Sequence, residues 1–154
     1  MLTDDEKREI ESHVPAYVTR RSAAPEALAI VQRRRGWVSD GDVKDVADFL
    51  GMTPDEVDGL ATFYSMIFRR PVGRHVILVC DSVACWVMGY DGLRERLQAR
   101  LGIALGGTTA DGRFTLLPAG CLGVCEHAPA MMVDEDLHLD LTPEKLDEIL
   151  ARYT

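Results

Sequence analysis

Residues 75–85 read HVILVCDSVAC, and the first six of them decide the fold. A short, unbroken apolar run rich in β-branched residues is the pattern of a buried strand, here ending at Cys80. Leu93, Leu97 and Leu101 then recur at helical spacing over about three turns. FTLLP, starting at Phe114, reads as a second strand, AMMV over residues 130–133 as a third, and LHLDL over 137–141 as a fourth. The acidic turn Asp134, Glu135 and Asp136 joins the last two. Thr142 and Pro143 open a final helix, whose apolar stripe is Leu146, Ile149, Leu150 and Tyr153. Strand, helix, three strands and helix predict an α+β or α/β layer, with helices flanking a small mixed sheet.

Upstream the periodicity is helical throughout. Thr3 caps a short acidic helix running to about His13, and Ala24, Pro25 and Glu26 open a second that reaches Arg35 and stops at Gly36. Val43, Val46, Ala47 and Leu50 form the stripe of a third, ended by Gly51. The fourth begins TPDE, with Thr53 as cap, Pro54 at the first helical position and Glu56 closing a capping box, and carries Val57, Leu60, Ala61 and Tyr64. Arg69, Arg70, Pro71 and Gly73 interrupt both patterns. The expected organisation is a helical bundle over residues 1–70 and a sheet-containing domain over 71–154.

Composition narrows the function. With 154 residues, 47% hydrophobic and 27% charged, the chain can bury a core. No apolar run approaches the roughly 18 residues of a membrane span, and the start MLTDDEKREI is acidic where a secretory signal is basic, so a cytoplasmic location without direct membrane insertion is expected. A formal net charge of −8 opposes binding to phosphate backbones, and no basic patch interleaved with aromatics offsets it, so no nucleic-acid partner is expected. Glycines never form GxGxxG after a strand or a P-loop, so no nicotinamide or flavin site is visible, and neither is expected on this chain.

The four cysteines carry the chemistry. Cys80 and Cys85 enclose four residues, Cys121 and Cys125 enclose three, and each pair starts where an expected strand ends. Two neighbouring loops at one end of a sheet would thus present four thiolates to one place. In a reducing compartment metal or redox chemistry leads over structural disulfides. Soft thiolate donors suit an iron–sulfur or a zinc centre. Zinc ribbons usually place two residues inside each pair, unlike the four and three found here, so iron–sulfur leads, with zinc, a disulfide redox pair and inert buried thiols as competing readings. A Rieske centre would need two histidines, and only His127 adjoins a pair. Gly120 and Gly123 remove side chains where backbone N–H groups would approach sulfur.

The stretch DGRFTLLPAGCLGVCEHAP, residues 111–129, changes the balance. In Asp111, Phe114, Thr115, Cys121, Leu122, Gly123, Cys125, Ala128 and Pro129 it resembles the signature of the thioredoxin-like [2Fe–2S] proteins related to the E subunit of bacterial NADH:quinone oxidoreductase, respiratory complex I. ATFYSMIFRRPVGRHV, CDSVACWVMGYDG and MMVDEDLHLDLTPE extend the resemblance over nearly the whole chain. It implies a thioredoxin-like domain after the helical bundle and one [2Fe–2S] cluster on Cys80, Cys85, Cys121 and Cys125. It further implies an F subunit as partner, which binds NADH and FMN and exchanges single electrons with the cluster, and a place in the peripheral arm on the cytoplasmic side of the inner membrane. On this reading the chain is a redox subunit of an oxidoreductase and has no catalytic residue of its own. The cluster motif is shared with subunits of NAD-linked formate dehydrogenases and soluble hydrogenases. Many relatives carry a larger or reactive residue just before the third ligand; here it is Gly120.

Other residues read more plainly. His13, His75, His127 and His138 have no ligand spacing among themselves and are expected at the surface or in packing. Trp86 is expected to pack rather than to shield the cluster from water, Met131 and Met132 to lie in a strand core, and Arg33, Arg34 and Arg35 to form the solvated end of a helix, where cations complement its dipole, rather than a docking contact.

Overall fold

A computed structural model describes all 154 residues, which divide into two compact units, Met1–Pro71 and Val72–Thr154. The first unit is helical: α1 (Asp4–His13), α2 (Ala24–Arg35), α3 (Asp40–Leu50) and α4 (Pro54–Phe63). Three of the four begin with a capping box, in which the cap hydroxyl accepts the N–H three residues on and that residue's carboxylate accepts the cap N–H. The pairs are Thr3 with Glu6, Ser39 with Asp42, and Thr53 with Glu56. Left-handed Gly36 and Gly51 end α2 and α3, where a Cβ would be strained. Ile10, Leu28, Ile30, Val31, Val46 and Val57 are fully buried in the core these helices share.

Two expectations need correction in this unit. Tyr64 does not extend the stripe of α4, because its backbone is already extended and its ring is exposed, edge-on to Phe63. Arg33, Arg34 and Arg35 are not simply a solvated helix end. Arg33 and Arg34 pair with Glu9 at 2.7 and 2.6 Å, while Arg35 reaches Glu6 at 2.6 Å and also Asp42. Burial of Glu6 and Asp42 in the capping boxes draws the third arginine inward to compensate them.

The second unit is built on a four-stranded sheet in the order β2 (Phe114–Ala119), β1 (His75–Cys80), β3 (Met131–Val133), β4 (Asp136–His138). β1 runs parallel to β2 and antiparallel to β3, and β4 is antiparallel to β3, so the sheet is mixed as expected. Between β1 and β2 lie α5 (Val83–Val87) and α6 (Tyr90–Leu101), and α7 (Pro143–Leu150) closes the chain. Ile77, Val79, Leu93, Leu97, Leu116, Met131, Leu146 and Leu150 meet in one core. The flanking helices therefore cover the strands that the apolar runs identified.

The fourth strand is shorter and earlier than expected. Asp136 belongs to it, leaving Asp134 and Glu135 as the turn, and it ends at His138. Asp140 has a positive φ of 48°, and its N–H and that of Leu141 turn to His127 and Pro129 instead of a strand partner. Tyr153 lies beyond α7, yet it still packs against this core. The helix α5 had no separate signal, since its five residues are too few to show a period.

Candidate metal centre

In-register pairing makes β1 and β2 end level, with Cys80 opposite Ala119. Cys80 is thus the last residue of β1, and Cys121 follows β2 after only Gly120. Two backbone bonds hold this edge: Cys80 N–H donates to Ala130 O at 3.2 Å, and Asp81 N–H donates to Ala119 O at 2.9 Å. The turn after Cys80 starts α5, which carries Cys85 back into the core. Cys80 and Cys85 are buried, whereas Cys121 and Cys125 are exposed.

The loop between Cys121 and Cys125 folds so that their sulfurs lie 3.8 Å apart. Gly123 makes this possible with a φ of 77°, and its N–H donates to Cys121 Sγ at 3.4 Å. The thiol of Cys80 points across to Gly120 O at 3.9 Å. Strand ends and two short loops therefore bring all four cysteines to one end of the sheet.

The thiols influence one another strongly. The Gly123 N–H, then the neighbouring Cys125, hold the Cys121 thiol below its usual range, with Ser82 and Cys80 adding to the effect. Cys125 is pushed up, chiefly by the sulfur of Cys121. Burial, then Cys80, pushes Cys85 up to about 11, against the Ala130 backbone, which favours its thiolate. Charging all four sulfurs at this spacing costs free energy unless positive charge sits among them. Such a donor set fits a thiolate-bound metal centre.

The sulfurs of Cys121 and Cys125 form a close pair. Two sulfurs bound tetrahedrally to one ion at about 2.3 Å stand roughly 3.8 Å apart, which is the spacing of Cys121 and Cys125. A binuclear cluster, with two thiolates on each iron, matches paired sulfurs.

His127 adjoins the second pair, but its Nδ1 faces Asp140 at 3.2 Å. Sequence reasoning missed two neighbours. Ser82 stands at the N-cap of α5 without capping it and instead acts on Cys121. A serine opening a helix reads as an ordinary cap, so no local signal gave this away. Ala130 supplies a carbonyl to the Cys80 N–H, and its backbone favours the Cys85 thiolate, a role that its small side chain does not advertise. Trp86 needs correction: it is 59% exposed and does not pack as expected, and Val83, Val87 and Met88 around it are exposed too. On α5 Cys85 turns inward with Ala84 packed against the same core, while Val83, Trp86 and Val87 face out. A cavity of about 480 Å³ lies elsewhere, at the start of β2 between Arg100, Asp111, Phe114 and Leu150.

The sequence model of the thioredoxin-like [2Fe-2S] ferredoxins matches residues 9–154. The chain belongs to that family. Among curated members, the E subunit of the NADH-quinone oxidoreductase of Escherichia coli (strain K12) is 53% identical over 152 residues, covering 99% of this chain and 92% of the relative. Its namesake from Pseudomonas aeruginosa is 49% identical over 153 residues, again covering 99% and 92%. A solved NAD+-reducing [NiFe]-hydrogenase in the H2-reduced state superposes with a TM-score of 0.70 at 25% identity, over 84% of this chain and 22% of the hydrogenase chain. This ferredoxin-family fold is therefore also found as a small part of a longer redox protein. No helix of the chain is long and apolar enough to cross a membrane.

Proposed function

We propose that this chain is the E subunit of an NADH–quinone oxidoreductase and holds one [2Fe–2S] cluster on Cys80, Cys85, Cys121 and Cys125. The observation that carries the proposal is the gathering of four thiols at one sheet end, in a chain 53% identical over nearly its whole length to a protein of that name. When bound, such a cluster accepts and releases one electron at a time. Cys121 and Cys125 would hold one iron and Cys80 and Cys85 the other. The N–H of Gly123 donates to Cys121 Sγ and favours the added negative charge, as the Ala130 backbone favours the Cys85 thiolate.

The partner would be the F subunit, which binds NADH and FMN and performs the hydride chemistry. Absence of a nucleotide motif here agrees with that division of labour. The exposed apolar side chains of α5, next to Cys85, suit a protein contact that shortens the electron path. Residues 71–154 would carry the cluster while the bundle over 1–70 adds docking surface. Its place would be on the cytoplasmic side of the membrane, as part of the peripheral arm of that complex.

Anaerobic purification tests the cluster: iron and acid-labile sulfide should each reach two per chain, with an electron paramagnetic resonance signal on reduction. A colourless, zinc-bearing protein would overturn it. The isolated chain should not oxidise NADH, and activity with an artificial acceptor should need the flavin-bearing partner. A chain starting at Val72 should still assemble the cluster but bind that partner less well. The hydrogenase likeness supports a second reading, a soluble NAD-linked enzyme. Co-purification of the native chain with a quinone-reducing membrane complex separates the two.

A further inference from the structure

Once the cluster is absent, the two cysteine pairs are not equivalent. Cys80 and Cys85 are 3% and 2% exposed, and both sit in regular structure, one in β1 and the other in α5. Cys121 and Cys125 are exposed, and their sulfurs already stand 3.8 Å apart. Residues 120–124, which precede and join them, form neither helix nor strand. Leu122 and Val124 pack against the core, but a Cβ on Gly120 or Gly123 would meet nothing within 4 Å, so the glycine positions between them have room to shift. Closing the remaining gap to a disulfide of about 2.0 Å therefore asks only for side-chain rotation and a small loop movement.

We propose that Cys121 and Cys125 form a thiol–disulfide switch on cluster assembly, closed in the cluster-free chain by a small-molecule disulfide such as oxidised glutathione. The inference rests on the ligand set proposed above. In the first step the thiolate of one exposed cysteine attacks a glutathione sulfur, forming a mixed disulfide and releasing one glutathione thiolate. The second cysteine then attacks the protein sulfur of that mixed disulfide and releases the other. Two protein thiols lose two electrons and two protons, the glutathione disulfide gains both, and two glutathione thiols leave. The oxidised loop has no thiolate to offer the metal, so assembly waits for a dithiol reductant. The buried pair stays reduced because the oxidant cannot reach it. With the cluster in place both exposed sulfurs are engaged, and the same oxidant has nothing to attack.

The test uses the full chain, stripped of cluster and fully reduced, treated with oxidised glutathione, then alkylated and mapped by mass spectrometry. The expected product carries a Cys121–Cys125 disulfide with Cys80 and Cys85 alkylated, fails to take up iron and sulfide, and regains uptake with dithiothreitol. The Cys125→Ser variant should stop at a stable glutathione adduct on Cys121, and the cluster-loaded chain should not react. A persistent adduct on the unaltered chain, a disulfide involving Cys80 or Cys85, or no oxidation at all would overturn the switch. A reduced chain that never takes up a cluster would instead overturn the ligand set, so the two failures are distinct.

Discussion

Arg35 Nη2 lies 2.6 Å from Glu6 Oε2, the same oxygen that accepts the Thr3 N–H and closes the capping box of α1. Its Nη1 reaches Asp42, which closes the equivalent box of α3. One guanidinium at the end of α2 thus compensates the buried carboxylates at the starts of two other helices. The bundle depends on this arginine more than on any exposed ion pair around it.

Arg35→Ala should lower the stability of the chain by about 3 kcal/mol, because it leaves Glu6 and Asp42 as buried carboxylates without their cation. Arg33→Ala, at an exposed pair with Glu9, should cost roughly 0.5 kcal/mol or less. Urea denaturation of both variants measures the difference. Equal losses would show that Arg35 has no special place.

Acid should act through the same group. Burial pushes the Glu6 carboxyl up, but the hydrogen bond from Arg35, with those from Thr3, outweighs it and holds the group down to about 2, from an ordinary 4.5. A carboxyl depressed on folding stabilises the native state above its unfolded value, and that contribution is lost as pH falls from 4.5 towards 2. Denaturation midpoints across this window should fall less steeply in Glu6→Gln than in the unaltered chain.

Each of Cys80→Ala, Cys85→Ala, Cys121→Ala and Cys125→Ala should abolish or severely destabilise the cluster, since the chain has no fifth cysteine to substitute. Iron, sulfide and the paramagnetic signal of the reduced protein report this. One variant with a full, spectrally unchanged cluster would remove that residue from the ligand set.

Gly123→Ala should weaken the centre without steric clash. A Cβ there meets nothing within 4 Å, but a φ of 77° strains any L side chain by about 1 kcal/mol or more, and relief of that strain moves the N–H away from Cys121. Faster cluster loss to a chelator is the expected result. Unchanged loss kinetics would show that this N–H does not support the sulfur.

Trp86→Glu tests the apolar surface beside the cysteines. The side chain is largely exposed, so the chain should fold and keep its cluster. Binding to the flavin-bearing partner should weaken by about tenfold or more, as an aromatic anchor gives way to a desolvated charge. Full-strength pull-down would place the contact elsewhere.

What could be read in the sequence was what neighbouring residues decide. Thr3, Ser39 and Thr53 cap helices by bonding three residues along, and the caps at 3 and 53 with the glycines at 36 and 51 were legible for that reason. HVILVC and FTLLP were legible as strands because unbroken apolar runs must be buried. Spacing and family resemblance together singled out the four cysteines. Tertiary structure alone decided that β1 and β2 end level, which brings Cys80 to Cys121, since register is a relation between strands distant in the chain. It also decided that Arg35 turns inward, because the carboxylates it meets belong to α1 and to the start of α3, and that Trp86 stays outside while Cys85 goes in. A side chain's type states what it can bond or bury; which partner lies within a few ångströms depends on how distant segments pack.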